Sequence, residues 1–320
     1  MTGGLVDVHA HFVTPEYVAA AQRAGHQRPD GMPGWPVWSV RGHLDLMDRD
    51  GIDRAVLSVS SPGVHFGDNA QARVLARTMN DTAAGVVAGH PDRFGMFASL
   101  PLPDVPGAIA ELDHAFDVLH ADGVVLASST AGWYLGDPRL TELWQRCDER
   151  AAVVFVHPTS PPNWPAVALD RPRPMIEFPF DSARTVIDLV LAGVLVGYPR
   201  IRFVVTHTGG VLPLLADRVD LFRQDDLPDT ATQLAGLWYD IAGTPVPRQW
   251  PALTALAGTG HLLYGSDYCF TPPDAVAAQL AAVDAAIGGT WRADLTANTA
   301  RLLSPGGRSG ESRTGHRAPH

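Results

Sequence analysis

His9 and His11 stand two residues apart in the run Val6-Asp7-Val8-His9-Ala10-His11. Side chains alternate along a strand, so both imidazoles point to one face, where two of them form a natural chelate for zinc or a similar ion. Three more polar residues each close an apolar run: His157 after Val153-Val154-Phe155-Val156, His207 after Val204-Val205-Thr206, and Asp267 in Leu262-Leu263-Tyr264-Gly265-Ser266-Asp267. A polar cap or a satisfied core histidine explains any one of them. Their recurrence at the same end of successive apolar runs points instead to a site where metal ligands and a proton-transfer group converge.

The elements that must position them follow a strand–helix rhythm. Residues 5–11, 54–61, 94–100, 123–128, 152–157, 202–207, 237–242 and 261–267 read as strands, several almost continuously apolar, as strands buried on both faces should be. Residues 69–88, 105–119, 138–150, 182–197, 212–223, 249–256 and 274–287 carry apolar residues at helical spacing, and Asp137-Pro138 suits a cap followed by a first-turn proline. Eight such alternations predict a parallel (β/α)₈ TIM barrel, with active residues at the strand C-termini. A doubly wound open sheet is the alternative, but no GxGxxG follows the first strand. Residues 25–39 and 159–179, rich in Gly, Pro or Trp, follow strands and are expected to border the barrel mouth. One domain is expected over residues 1–303, with a disordered polar tail at 304–320 whose His316 and His320 are not ligand candidates.

Composition narrows the chemistry. The chain of 320 residues is 46% hydrophobic and 18% charged, with a net charge of -10, so neither nucleic acid nor an anionic membrane surface is expected as a partner. All 24 basic residues are arginine. The protein therefore has no Schiff-base lysine, no P-loop lysine and no carboxylated lysine to bridge two metals. Cys147 and Cys269 form no CxxC or disulfide framework; with no secretory leader or long apolar span in view, a cytoplasmic protein is expected. Cys269 lies near the proposed site and reads as a small buried residue.

The stretches VDVHAH, GIDRAVLSVSSPG, VVFVHP, IRFVVTHTGG, LLYGSDY and NTARLL together resemble the amidohydrolase superfamily. More narrowly, they resemble the amidohydrolase-related branch of aminocarboxymuconate-semialdehyde and salicylate-type decarboxylases. The resemblance spans residues 5 to 303. It implies that His9, His11, His157 and Asp267 are the metal ligands and that His207 acts in catalysis beside the metal. It also implies that Asp267 both ligates and shuttles a proton. One divalent ion per chain is expected, Zn²⁺ or alternatively Mn²⁺, because strand four reads Gly-Val-Val-Leu-Ala-Ser where binuclear relatives carry the bridging lysine. Three imidazoles and a carboxylate leave an open coordination position.

The expected activity is non-oxidative decarboxylation of a small aromatic or unsaturated carboxylic acid. Hydrolysis of an amide or lactone is the alternative, and a non-catalytic metal- or ligand-binding barrel is the third reading. A homodimer is expected from the resemblance. Asp7 is read either as orienting a ligand histidine or as simply beginning the strand. His65, Phe66, Trp133, Trp164 and Phe178 are candidates for the pocket wall, with plain loop packing as the competing reading. Arg28, Arg171, Arg173 and Arg184 are candidate clamps for a substrate carboxylate. His26, His43, His90, His114, His120 and His261 are read as structural or exposed.

Overall fold

A computed structural model describes residues 4–223 and 226–304. Its eight barrel strands run parallel and in chain order: β1 Leu5–His11, β2 Ile52–Ser58, β3 Phe94–Ser99, β4 Gly123–Ala127, β5 Val153–His157, β6 Arg202–Val205, β7 Trp238–Asp240 and β8 Leu262–Leu263. The last strand returns to the first through an Asp7–Tyr264 bridge and a Val8 N to Tyr264 O bond of 3.0 Å. That closure makes a (β/α)₈ barrel and excludes the open doubly wound sheet. The polar tail, with His316 and His320, lies outside the described residues, apart from Ser304.

Helices cover the outside by burying one stripe each. On Asn69–Gly89 that stripe includes Ala72, Ala76, Met79 and Ala83, at helical spacing. Inside the barrel, Val56, Phe97, Val125, Phe155, Val204 and Leu263 pack into a separate core beneath the mouth. Val8 joins them, although His9 also faces inward and meets the Phe155 ring at 5.1 Å. Strict alternation forbids two consecutive inward residues. The pairing of β1 with β2 shifts register between Asp7 and Ala10, and this irregularity accommodates both.

Several elements differ from the sequence reading. The expected helix over 182–197 starts earlier, at Glu177, and ends at Leu191; Gly193, at φ 69°, separates it from a short turn Val194–Gly197. Helices Pro15–Arg23 and Val40–Asp50 were not anticipated, though Thr14 and Ser39 cap them by accepting from Tyr17 N and Gly42 N. Helix Trp291–Leu303 was also missed and lies against β1, its Thr296 hydroxyl donating to Gly4 O at 3.1 Å. β6 and β8 are shorter than expected. The ladder stops because the chain's next donors go elsewhere: His207 N to the Asp240 carboxylate, Ser266 N to the Asp7 carboxylate. No helix among the described residues is long and apolar enough to cross a membrane.

Candidate active site

His9, His11 and His157 come from the C-terminal ends of β1 and β5, and Asp267 from the turn after β8. One ligand atom from each lies within 4.8 Å of the other three. His9 Nε2 is 3.0 Å from His11 Nε2, and Asp267 Oδ1 is 3.4 Å and 3.2 Å from those two nitrogens. A four-coordinate ion with bonds of about 2.0–2.1 Å places its ligand atoms about 3.3 Å apart, so these edges fit one.

The opposite side of each imidazole fixes which nitrogen is bare. His9 Nδ1 lies 2.9 Å from the Asp240 carboxylate, His11 Nδ1 3.3 Å from Ser58 O, and His157 Nδ1 2.7 Å from Pro158 O. Each Nδ1–H donates outward, leaving three Nε2 lone pairs that converge. Burial pushes His9 down, but the charges of Asp240 and Asp267 outweigh it and hold the imidazole up to about 10. Burial and the neighbouring imidazoles hold His157 well below its ordinary value. His11 is also lowered, chiefly by burial. Burial raises Asp267, yet the charge on His9 and hydrogen bonds from His11 and His207 bring it well below the usual carboxylate range. The centre is thus built to hold positive charge beside an ionised carboxylate, at His9 in the absence of an ion, while His11 and His157 stay neutral.

His207 stands beside this cluster, its Nε2 3.4 Å from Asp267 Oδ2 and its Nδ1 3.1 Å from Thr206 Oγ1. The backbone of His207, Thr208 and Asp267 is left-handed, at φ 54°, 59° and 57°. Such conformations are costly for residues other than glycine and concentrate where geometry is over-determined by function.

Asp240 was missed in the sequence, although it obeys the rule that found the others, a polar residue on the inward face near a strand end. The expected strand ran on to residue 242 and disguised it. Its Oδ1 accepts from His207 N and Ala242 N, both at 3.0 Å, while its Oδ2 faces His9. One carboxylate therefore positions both histidines. Asp7 holds ligand residue His9 by its backbone rather than its ring: its Oδ1 accepts from His9 N and Ser266 N, each at 3.0 Å, pinning the β1–β8 seam. Burial pushes the Asp7 carboxyl up to about 7. The thiols Cys147 and Cys269 are buried, which pushes both up to about 12 and makes them unreactive packing residues.

Two chambers open from the cluster. A chamber of about 490 Å³ is bordered by His157, His207 and Asp267, with Met32, Met175, Phe178 and Phe270 as apolar wall. A larger one of about 880 Å³ reaches His157 from the other side, past Arg28, His65, Trp164 and Arg173. Both expected mouth segments border this space. Phe178 packs edge-on against His157 at 6.0 Å. Phe66 instead packs on Tyr17 and His26, and Trp133 lies under Arg139 at 3.6 Å in a small hairpin. Arg171 and Arg184 are exposed and border neither chamber. His43 is buried among Trp38, Phe94 and Tyr268, a structural histidine as expected.

A closed parallel barrel with histidine and aspartate donors converging at its strand C-termini defines a class of metal-dependent barrel enzymes. The sequence model for the amidohydrolase family matches residues 6–303, and the chain belongs to that family. Decarboxylase yanB of Aspergillus niger is 35% identical over 293 residues, covering 83% of this chain and 77% of the relative. The 6-methylsalicylic acid decarboxylase of Penicillium expansum is 33% identical over 288 residues, covering 85% and 86%. A solved amidohydrolase II superposes with a TM-score of 0.88 at 33% identity, covering 93% of this chain and 99% of that one. The 5-carboxyvanillate decarboxylase of Novosphingobium aromaticivorans, solved with manganese and a nitrobenzoic acid, superposes with a TM-score of 0.84 at 22% identity, covering 94% and 96%.

Proposed function

We infer that the protein is a metal-dependent, non-oxidative decarboxylase of a small aromatic or unsaturated carboxylic acid. The observation that carries this is the division of labour on Asp267, which turns Oδ1 to the convergent imidazoles and Oδ2 to His207 beside an apolar chamber. Relatives at 33–35% identity are decarboxylases, which supports the same reaction here.

His9, His11, His157 and Asp267 would hold one divalent ion. Imidazole-rich donors favour Zn²⁺, and the manganese in a structural neighbour keeps Mn²⁺ as the alternative. A bound ion would supply Lewis-acid polarisation of the substrate's carboxylate or an adjacent oxygen. The residues of the chain do the rest. Met32, Met175, Phe178 and Phe270 clamp the ring and exclude water. His207 and Asp267 hold a proton at the edge of that ring and deliver it to the carbon bearing the carboxylate. The bond from that carbon to the carboxylate then breaks, its electron pair restores the conjugated system, and CO₂ leaves without water being consumed. The cluster opens on a chamber on the His207 side, an arrangement that supports catalysis over a purely structural metal site.

Residues 1–303 are read as one domain, because the last described helix packs back on the first strand. The buried free thiols support a reducing compartment such as the cytoplasm. Exposed Leu214, Leu221 and Phe222 support assembly into a homodimer. The test is metal analysis of the purified protein together with a panel of ¹³C-carboxylate aromatic acids. One metal per chain with labelled CO₂ is expected. One metal with no CO₂ from any acid would move the reading to hydrolysis.

A further inference from the structure

The decarboxylase reading uses the smaller chamber and leaves the larger one without a role. At about 880 Å³ that chamber has the size of a pocket for a drug-sized ligand, well beyond what a single ring requires. Its wall carries one charged side chain held at two points. Arg173 donates through Nε to Ser160 Oγ at 2.7 Å, and its guanidinium lies 4.0 Å over the Trp164 ring. Its Nη1 sits where a side chain at Gly31 would intrude: a Cβ there would come within 2.7 Å of it, and Gly31 is at φ 77°. Glycine at that position gives the guanidinium its room. Ser160 in turn donates to Asp30 Oδ1, so the two mouth segments are joined through the same hydroxyl.

No carboxylate oxygen of the described residues comes within 4.0 Å of the Arg173 nitrogens, and among those residues its two terminal nitrogens donate to nothing. Asp30 and Glu177 act on it only through space. A half-buried guanidinium, stacked, held by its Nε and with its fork free, is arranged to receive a planar anion in two parallel hydrogen bonds. Arg28, exposed at the rim, adds positive charge along the way in.

We propose that the larger chamber is a second substrate subsite and that Arg173 is its specificity-determining residue, recognising a second carboxylate or similarly acidic group on an extension of the substrate. This rests on the decarboxylase reading for the reacting end alone. The substrate class is then an aromatic or unsaturated acid with one carboxylate lost at His207 and another retained beyond His157.

Calorimetric binding to the metal-loaded protein tests it without requiring turnover. The probes are 2-hydroxybenzoates bearing a carboxyalkyl chain of one, two or three methylenes, each paired with its neutral carbamoyl analogue. At one chain length or more the acid is expected to bind about ten-fold tighter than the amide. Arg173→Met should bring that ratio near one while metal content stays as in the wild type. Arg171→Met, an exposed neighbour, should keep it. A ratio near one at every chain length in the wild type would overturn the proposal, showing the chamber to be an entrance only. So would a preference that survives Arg173→Met. Should the preference hold while no probe releases CO₂, the subsite stands and the decarboxylase reading falls.

Discussion

His207 Nε2 lies 3.4 Å from Asp267 Oδ2, and both residues hold left-handed backbone, at φ 54° and 57°. The strain on each side aims a proton carrier at the carboxylate oxygen that the other imidazoles leave free. Substituting His207→Ala should lower kcat by about 10²–10⁴-fold, the usual range for a general acid–base group. Metal content should remain near that of the wild type. Loss of the metal together with activity would make His207 a ligand instead.

Asp240 is placed to act through His9 and His207 and touches neither chamber. Asp240→Asn keeps the shape but removes the charge that holds the His9 Nδ1 proton. Metal affinity, measured by competition with a chromogenic chelator, should fall about 10–100-fold. An unchanged affinity would reduce Asp240 to packing.

Asp181 ties the barrel mouth together from outside the cluster. It accepts from Ser128 Oγ and from Tyr134 OH, the latter at 2.7 Å, and Ser128 Oγ also accepts from Thr159 N at 3.0 Å, two residues past His157. Asp181→Ala leaves those hydroxyls without their acceptor and should cost about 1–3 kcal/mol of stability by denaturant titration. A loss under about 0.5 kcal/mol, the ordinary surface range, would show the network to be dispensable.

Acid should destabilise the fold through His43. Burial pushes its imidazole down from 6.5 to about 3, while Trp38 Nε1 donates to its Nδ1 at 3.1 Å. Between those values the unfolded chain binds a proton that the native one does not. His43 therefore adds stability above pH 6.5, and that contribution is lost as pH falls toward 3. The slope it contributes is at most about 1.4 kcal/mol per pH unit. His43→Phe should show a shallower decline over that window than the wild type. Identical slopes would assign the acid sensitivity to other groups.

Removing the metal should lower Tm, because an ion that binds only the folded cluster stabilises by mass action. Adding back Zn²⁺ or Mn²⁺ should restore it, and the ion giving the larger shift at equal concentration is the tighter binder. A Tm indifferent to chelator and to both ions would count against a native metal centre.

The sequence carried the barrel and the convergent residues because both follow from simple periods. Apolar runs ending in His157, His207 and Asp267 needed only the rule that barrel strands deliver polar residues at one end. What it hid came from departures from those periods. The register shift that lets Val8 and His9 both face inward is not encoded in any alternation. The left-handed turn after β6 begins at His207 and Thr208, two residues ahead of its glycines Gly209 and Gly210, and after β8 Asp267 is itself left-handed, so β6 and β8 were read too long. The clasp of Asp30, Ser160 and Arg173 joins residues 130 positions apart, and only folding brings them together.

The most direct measurement is product analysis after turnover of a ¹³C-carboxylate substrate in D₂O. Proton delivery to the carbon bearing the carboxylate predicts one deuterium at the vacated position of each product molecule, in step with labelled CO₂. Labelled CO₂ without deuterium at that carbon, or ring product that still holds its carboxylate, would contradict the account.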